Sequence, residues 1–137
     1  MSKPEPVKIH FIPADTAKAG KIVEAKLDLE IGADWHLFSD KPEIPGILAT
    51  QVLLENSSVF TVDRIVYPKA TPEYNDVFKK DLNFYHDQVS ILIYLKLQTT
   101  ASGDIPIAGT LKYQACSNSL CLPPGKLNFN GVQRVQP

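Results

Sequence analysis

Cysteine is scarce in this chain, with two in 137 residues, and methionine and tryptophan occur once each. At this length one hydrophobic core can close without cross-links, so the chain is not one of the small secreted scaffolds that several disulfides hold together. No apolar run approaches the ~20 residues of a membrane-spanning helix. The opening MSKPEPVKIHF lacks the apolar stretch and small-residue cleavage site of a secretory signal. The chain as given is expected to be soluble, while its compartment stays open, because Met1 and Ser2 could head a mature or excised domain. An excess of charge is missing too: 14 basic and 15 acidic residues leave a formal charge of -1. Without a basic patch, neither nucleic acid nor an anionic membrane surface is an expected partner. No amphipathic stretch is long enough for a dependable helix.

What is abundant is punctuation. Eleven prolines and seven glycines divide the chain into short segments, and within them apolar residues recur with period two. In KIVEAKLDLEIG, Val23, Ala25, Leu27, Leu29 and Ile31 share one side, and Glu24, Lys26, Asp28 and Glu30 share the other. That is a strand with one wet face. VSILIYLKLQ sets Val89, Ile91, Ile93, Leu95 and Leu97 inward, and its middle is apolar on both faces, as in a central strand. Shorter strands are expected at residues 7–12, 35–38, 51–54, 58–66, 110–115 and 127–130. Roughly eight short strands with Pro, Gly, Asp and Asn turns predict an all-β fold, an antiparallel sandwich of one domain over residues 1–137, with residues 1–6 frayed. The Cys…Trp…Cys spacing of antibody domains is absent, so any immunoglobulin likeness is architectural. Residues 68–82, PKATPEYNDVFKKDL, break the alternation and are expected to form a long loop.

Both cysteines lie in KYQACSNSLCLPPGK, with four residues between them. As a staple, so small a ring restrains the unfolded chain by only about 2 kcal/mol. A metal clip needs two further ligands at comparable spacing, and His10, His36 and His86 stand singly in the sequence, so no metal is expected. Alternation along TLKYQAC places Leu111, Tyr113 and Ala115 on one face and Cys116 on the polar face with Thr110, Lys112 and Gln114. Cys116 is therefore expected near solvent, and Cys121 on a loop before two prolines. An exposed short-ring disulfide exchanges readily. Redox exchange, a structural disulfide and inert thiols all remain open on these grounds.

The segment YQACSNSLCLPP closely resembles the YQ-x-C…C-x-PP signature of the periplasmic N-terminal domain family of the thiol:disulfide interchange protein DsbD. FIPAD, DWHLFSDKP and NDVFKKDLNFYHD are similar, in the same order, to that family's opening, its aromatic strand and its cap-loop region. The resemblance implies an immunoglobulin-like β-sandwich in which Cys116 and Cys121 shuttle between dithiol and disulfide, with Cys121 forming the mixed disulfide. It implies a cap loop with Asp76 and Phe78, Phe78 shielding the sulfurs, and His36 and Phe38 as aromatic positions beneath the site. Electrons would come from a membrane-embedded partner domain through a thioredoxin-like domain. They would pass to periplasmic thioredoxin-fold proteins, either disulfide isomerases or cytochrome c maturation factors. No cofactor is required, and a monomer with transient interfaces is expected. Three departures stand out: four residues rather than five between the cysteines, Val77 in place of a second acidic residue, and His36 in place of a tyrosine. The alternative from another class is a non-catalytic β-sandwich interaction module whose cysteines close a turn.

Overall fold

Period-two alternation decides the architecture. The computed structural model describes residues 5–137. Among them the regular elements are eleven strands: β1 (Val7–Ile12), β2 (Ile22–Ile31), β3 (His36–Phe38), β4 (Gln51–Leu54), β5 (Phe60–Val66), β6 (Thr71–Asn75), β7 (Lys80–Tyr85), β8 (Gln88–Leu97), β9 (Gly103–Tyr113), β10 (Ala115–Cys116) and β11 (Gly125–Val135). They form sheets of order β1-β2-β8-β5, β10-β3-β7-β6 and β11-β9-β4, and all named strand pairs are antiparallel. The expected residues of β2, from Val23 to Ile31, and of β8, from Ile91 to Leu97, are buried together with Leu37, Tyr85, Ile105, Ile107, Leu111 and Phe129. This one core takes side chains from all three sheets, and each fully buried Leu or Ile contributes roughly 1.5–3 kcal/mol. The fold is the expected immunoglobulin-like antiparallel β-sandwich, and β8, between β2 and β5, is the central strand the sequence describes.

Three expectations change. The segment read as a long loop is mostly the hairpin of β6 and β7, closed by a turn at residues 76–79. It escapes the alternation rule because β6 is an edge strand: Thr71, Pro72 and Tyr74 are exposed, and an edge is where a proline is tolerated. Strands β9 and β11 are longer than expected, since Pro106 and Gly109 lie inside β9 rather than at a turn. A Cβ on Gly109 would lie 2.5 Å from the Phe129 ring and 2.6 Å from the Leu53 carbonyl oxygen, so this glycine serves close strand packing. Of the residues expected to fray, 1–4 lie outside the described residues. Pro6 is buried, and its carbonyl accepts a 2.8 Å hydrogen bond from Gly32 N–H.

Candidate active site at the Cys116–Cys121 disulfide

The sheet that carries the cysteines is covered on both faces. Leu37, Tyr85 and Ala115 point into the main core. Their neighbours Phe38, Leu82, Phe84 and Cys116 point outward and form a second buried cluster, against which Ile44, Ile47, Phe78 and Cys121 pack. The chain reaches this sheet by leaving β9 at Tyr113, passing Gln114 and re-entering as β10. Gln114 is buried and holds the break: its Oε1 accepts from Leu48 N–H at 2.9 Å, and its Nε2 donates to the Leu122 carbonyl at 3.1 Å. β10 then pairs with β3, with Ala115 opposite Leu37 and Cys116 opposite His36.

Cys116 and Cys121 are disulfide-bonded, with Cα atoms 4.0 Å apart. They face each other as an antiparallel bridge across a tight turn. Ser117 N–H donates to the Leu120 carbonyl and Leu122 N–H to the Ala115 carbonyl, both at 2.8 Å, and the Ser117 hydroxyl accepts from the N–H groups of Ser119 and Leu120 at 3.3 Å. Four intervening residues therefore suit a hairpin in which the cysteines are a directly opposed pair, where Cα atoms come closest.

The two sulfurs differ in access. Cys116 is wholly buried, against the expectation that it lies near solvent. Alternation placed it on the correct face with Thr110, Lys112 and Gln114, but that face is not wet at Cys116: Phe38, Leu82 and Phe84 flank the sulfur, and Phe78, Ile44 and Ile47 pack against the cluster. Cys121 is half-buried. Above the cluster stands the turn at residues 76–79. Buried Asn75 shapes it, its Oδ1 accepting from Phe78 N–H at 2.9 Å and its carbonyl from Lys79 N–H at 2.8 Å. Lys79 closes the turn with a positive φ of 58°. Phe78 is half-buried and meets Phe38 edge to face at 6.0 Å, while Asp76 and Val77 are exposed. A second covering segment carries Ile44 and Ile47. Glu43 fastens it to β7 by accepting from the backbone and side-chain N–H groups of Asn83 at 2.9 and 3.0 Å.

His36 is buried beside the cluster, its ring edge to face with Phe84 at 4.2 Å. Burial first, and the nearby His86 second, hold its pKa below the ordinary imidazole value, against the opposing pull of Glu73. His36 is therefore neutral at neutral pH. His36 and His86 do not stand singly: their rings are 5.3 Å apart, and His86 Nε2 lies 2.7 Å from Glu73 Oε2. Trp35 is half-buried against the main core, whereas its neighbour His36 packs on Phe84 of the outer cluster. An open pocket of about 300 Å³ is bordered by Trp35, His36, His86 and the turn residues Ser117, Asn118 and Ser119.

The structure thus gathers His36, Phe38, Phe78, Cys116 and Cys121 and leaves Asp76 exposed on the turn. Sequence reasoning missed Asn75, Leu82, Phe84, Gln114 and the segment with Ile44 and Ile47. An asparagine at the start of NDVFKK was the available signal, since its side chain readily accepts from a backbone N–H within a turn.

Comparison with known proteins agrees with this geometry. A sequence search of curated proteins returns no match. The structure is similar to that of the N-terminal domain of Neisseria meningitidis DsbD in the reduced form, with a TM-score of 0.55 and 16% sequence identity over 92% of this chain and 90% of that one. At that identity the likeness speaks to the fold alone. The family model described as thiol:disulfide interchange protein DsbD, N-terminal, matches residues 8–132, a span that includes both cysteines and the turn at residues 76–79. A sandwich with a disulfide across one hairpin and nearly the whole chain matched place it plainly: the chain belongs to the family of DsbD N-terminal domains.

Proposed function

We propose that this domain relays electron pairs by thiol–disulfide exchange through Cys116 and Cys121. The donor is a membrane-embedded or thioredoxin-like domain, and the acceptors are periplasmic thioredoxin-fold proteins, disulfide isomerases or cytochrome c maturation factors. The observation that carries the reading is the asymmetry of the disulfide, one sulfur buried and the other half-buried beside Phe78.

In the reduced domain the Cys121 thiolate attacks one sulfur of the acceptor's disulfide. A mixed disulfide forms and one acceptor thiolate leaves. The Cys116 thiolate then attacks the Cys121 sulfur, the second acceptor thiolate leaves, and the domain's own disulfide closes. The acceptor gains two electrons and two protons and the domain loses them; the donor returns them by the reverse steps. Burial suits Cys116 to the resolving role, because a partner cannot reach it before Cys121. Phe78 is the cap, displaced when a partner docks. His36 and Phe38 shape the floor, and exposed Asp76 on the cap turn meets the partner. No cofactor enters the chemistry.

The competing reading is a non-catalytic interaction module, and full burial of Cys116 is what favours it. Equilibration in glutathione buffers with thiol trapping decides between them. A reversible two-electron couple between Cys116 and Cys121, and a trapped mixed disulfide at Cys121 in a Cys116→Ser variant, are the expected results. A pair that stays oxidised under strongly reducing conditions would overturn the relay.

A further inference from the structure

We propose that His36, Glu73 and His86 bind a divalent transition-metal ion of the zinc class on the outer face of β3, β7 and β6, beside the disulfide turn. One ligand atom from each of the three lies within 4.8 Å of the others. The residues come from β3, from the edge strand β6 and from the position just after β7, so the pairing of β6 and β3 with β7 creates the grouping.

Two imidazoles and one carboxylate are a donor set that suits zinc, cobalt and neighbouring ions of intermediate softness, rather than the all-oxygen shell of calcium or magnesium. Three protein ligands leave a fourth position, and here it would open to the pocket bordered by Trp35 and the turn residues Ser117 and Ser119. A second observation points to a ligand. His36 is 4% exposed, yet its buried Nε2 has no hydrogen-bond partner among the described residues. Buried ring nitrogens are ordinarily paired, so one left open on a ring whose neighbours are a second imidazole and a carboxylate calls for an acceptor or an ion.

The geometry needs little change. Bonds of about 2.0–2.1 Å in a tetrahedral shell put donors about 3.3 Å apart. The present group runs from 2.7 Å between His86 and Glu73 to at most 4.8 Å. Rotation of the half-buried Glu73 and His86 side chains would even out the spacing while His36 stays fixed. The proposal does not depend on thiol exchange.

Titration of the disulfide-oxidised protein with cobalt(II), followed by zinc displacement, tests it, since oxidised sulfurs cannot ligate. One cobalt ion per chain with visible ligand-field bands, lost when zinc is added, is the expected result. Glu73→Gln and His86→Ala each weaken binding by at least about tenfold. His10→Ala, at an exposed imidazole beside Glu30, leaves it unchanged. Zinc also raises the melting temperature of the wild type and not of His86→Ala, whose fold is checked by circular dichroism. The same site should persist in the Cys116→Ser, Cys121→Ser double variant, which separates it from thiolate binding. No saturable binding would mean that His86 and Glu73 are only a hydrogen-bonded pair. Binding that survives His86→Ala or vanishes with His10→Ala would place the ion elsewhere, and any of the three results overturns the proposal.

Discussion

The inner face of β3, β7 and β10 sits in a core built from all three sheets, whereas their outer face carries a small aromatic cluster with one buried sulfur and a buried imidazole. The inner side chains are held by strands on every side. The outer ones are covered by a turn that carries Phe78 and by a segment that carries Ile44 and Ile47. The difference is one of permanence. Opening the inner face means separating sheets, but opening the outer face means moving a turn. The proposed relay draws on this difference, since it would expose the disulfide by moving the cover without approaching global unfolding.

Cutting into the main core that this inner face joins gives the largest effect. Ile93→Ala leaves a cavity in the main core and is expected to cost about 2–5 kcal/mol in urea unfolding. A loss below about 1 kcal/mol would mean that the core repacks and the contrast is overstated. Alkaline pH attacks the same face through Tyr85, whose hydroxyl donates to Asp40 at 2.8 Å. Burial, then that bond, raises its pKa well above the ordinary value. With the folded pKa raised, its contribution is intact below about pH 10 and is lost above it, by up to about 1.4 kcal/mol per pH unit. Tyr85→Phe should flatten the decline between pH 10 and 12, and an unchanged slope would assign the loss to other groups.

The outer face gives smaller effects on stability. The Cys116→Ser, Cys121→Ser double variant should lose about 2 kcal/mol and keep its far-ultraviolet spectrum. Collapse of the fold would show that the outer cluster is structural after all. Asn75→Ala removes the acceptor for Phe78 N–H and should cost about 1 kcal/mol, with faster thiol exchange because the cap turn is loosened. Phe78→Ala should change stability least, by under about 1 kcal/mol, since the ring is only half-buried. Exchange with glutathione should quicken by up to about fivefold, corresponding to the up to ~1 kcal/mol no longer needed to lift the cap. An unchanged rate would remove Phe78 from the gate.

The main core was legible in the sequence because β2 and β8 alternate over ten residues each, and alternation is a local property. The outer face was legible only in part. Period two assigned Cys116 to the correct face but not its burial, because Phe38, Leu82 and Phe84 reach it through strand pairing. β6 could not be read as a strand because an edge carrying Pro72 and exposed Thr71 and Tyr74 has no buried stripe to display. The nearness of His36 to His86 was hidden for the same reason. Neither residue has a neighbour in sequence that signals the other, and only the registers of β3, β7 and β6 bring them together.

The passage through Gln114 keeps side-chain parity: Tyr113 and Ala115 stay inward, and Gln114 and Cys116 stay on the other face, although the strand changes sheets. The two ends of the cysteine segment therefore tolerate insertion and deletion very differently. A residue gained or lost between Tyr113 and Cys116 would turn the sulfur into the main core and a core side chain out of it. A residue gained or lost at the tip, among Asn118 and Ser119, changes only an exposed turn. Relatives that differ in the number of residues between their cysteines vary, on this account, at the one place in the segment where length is free to drift.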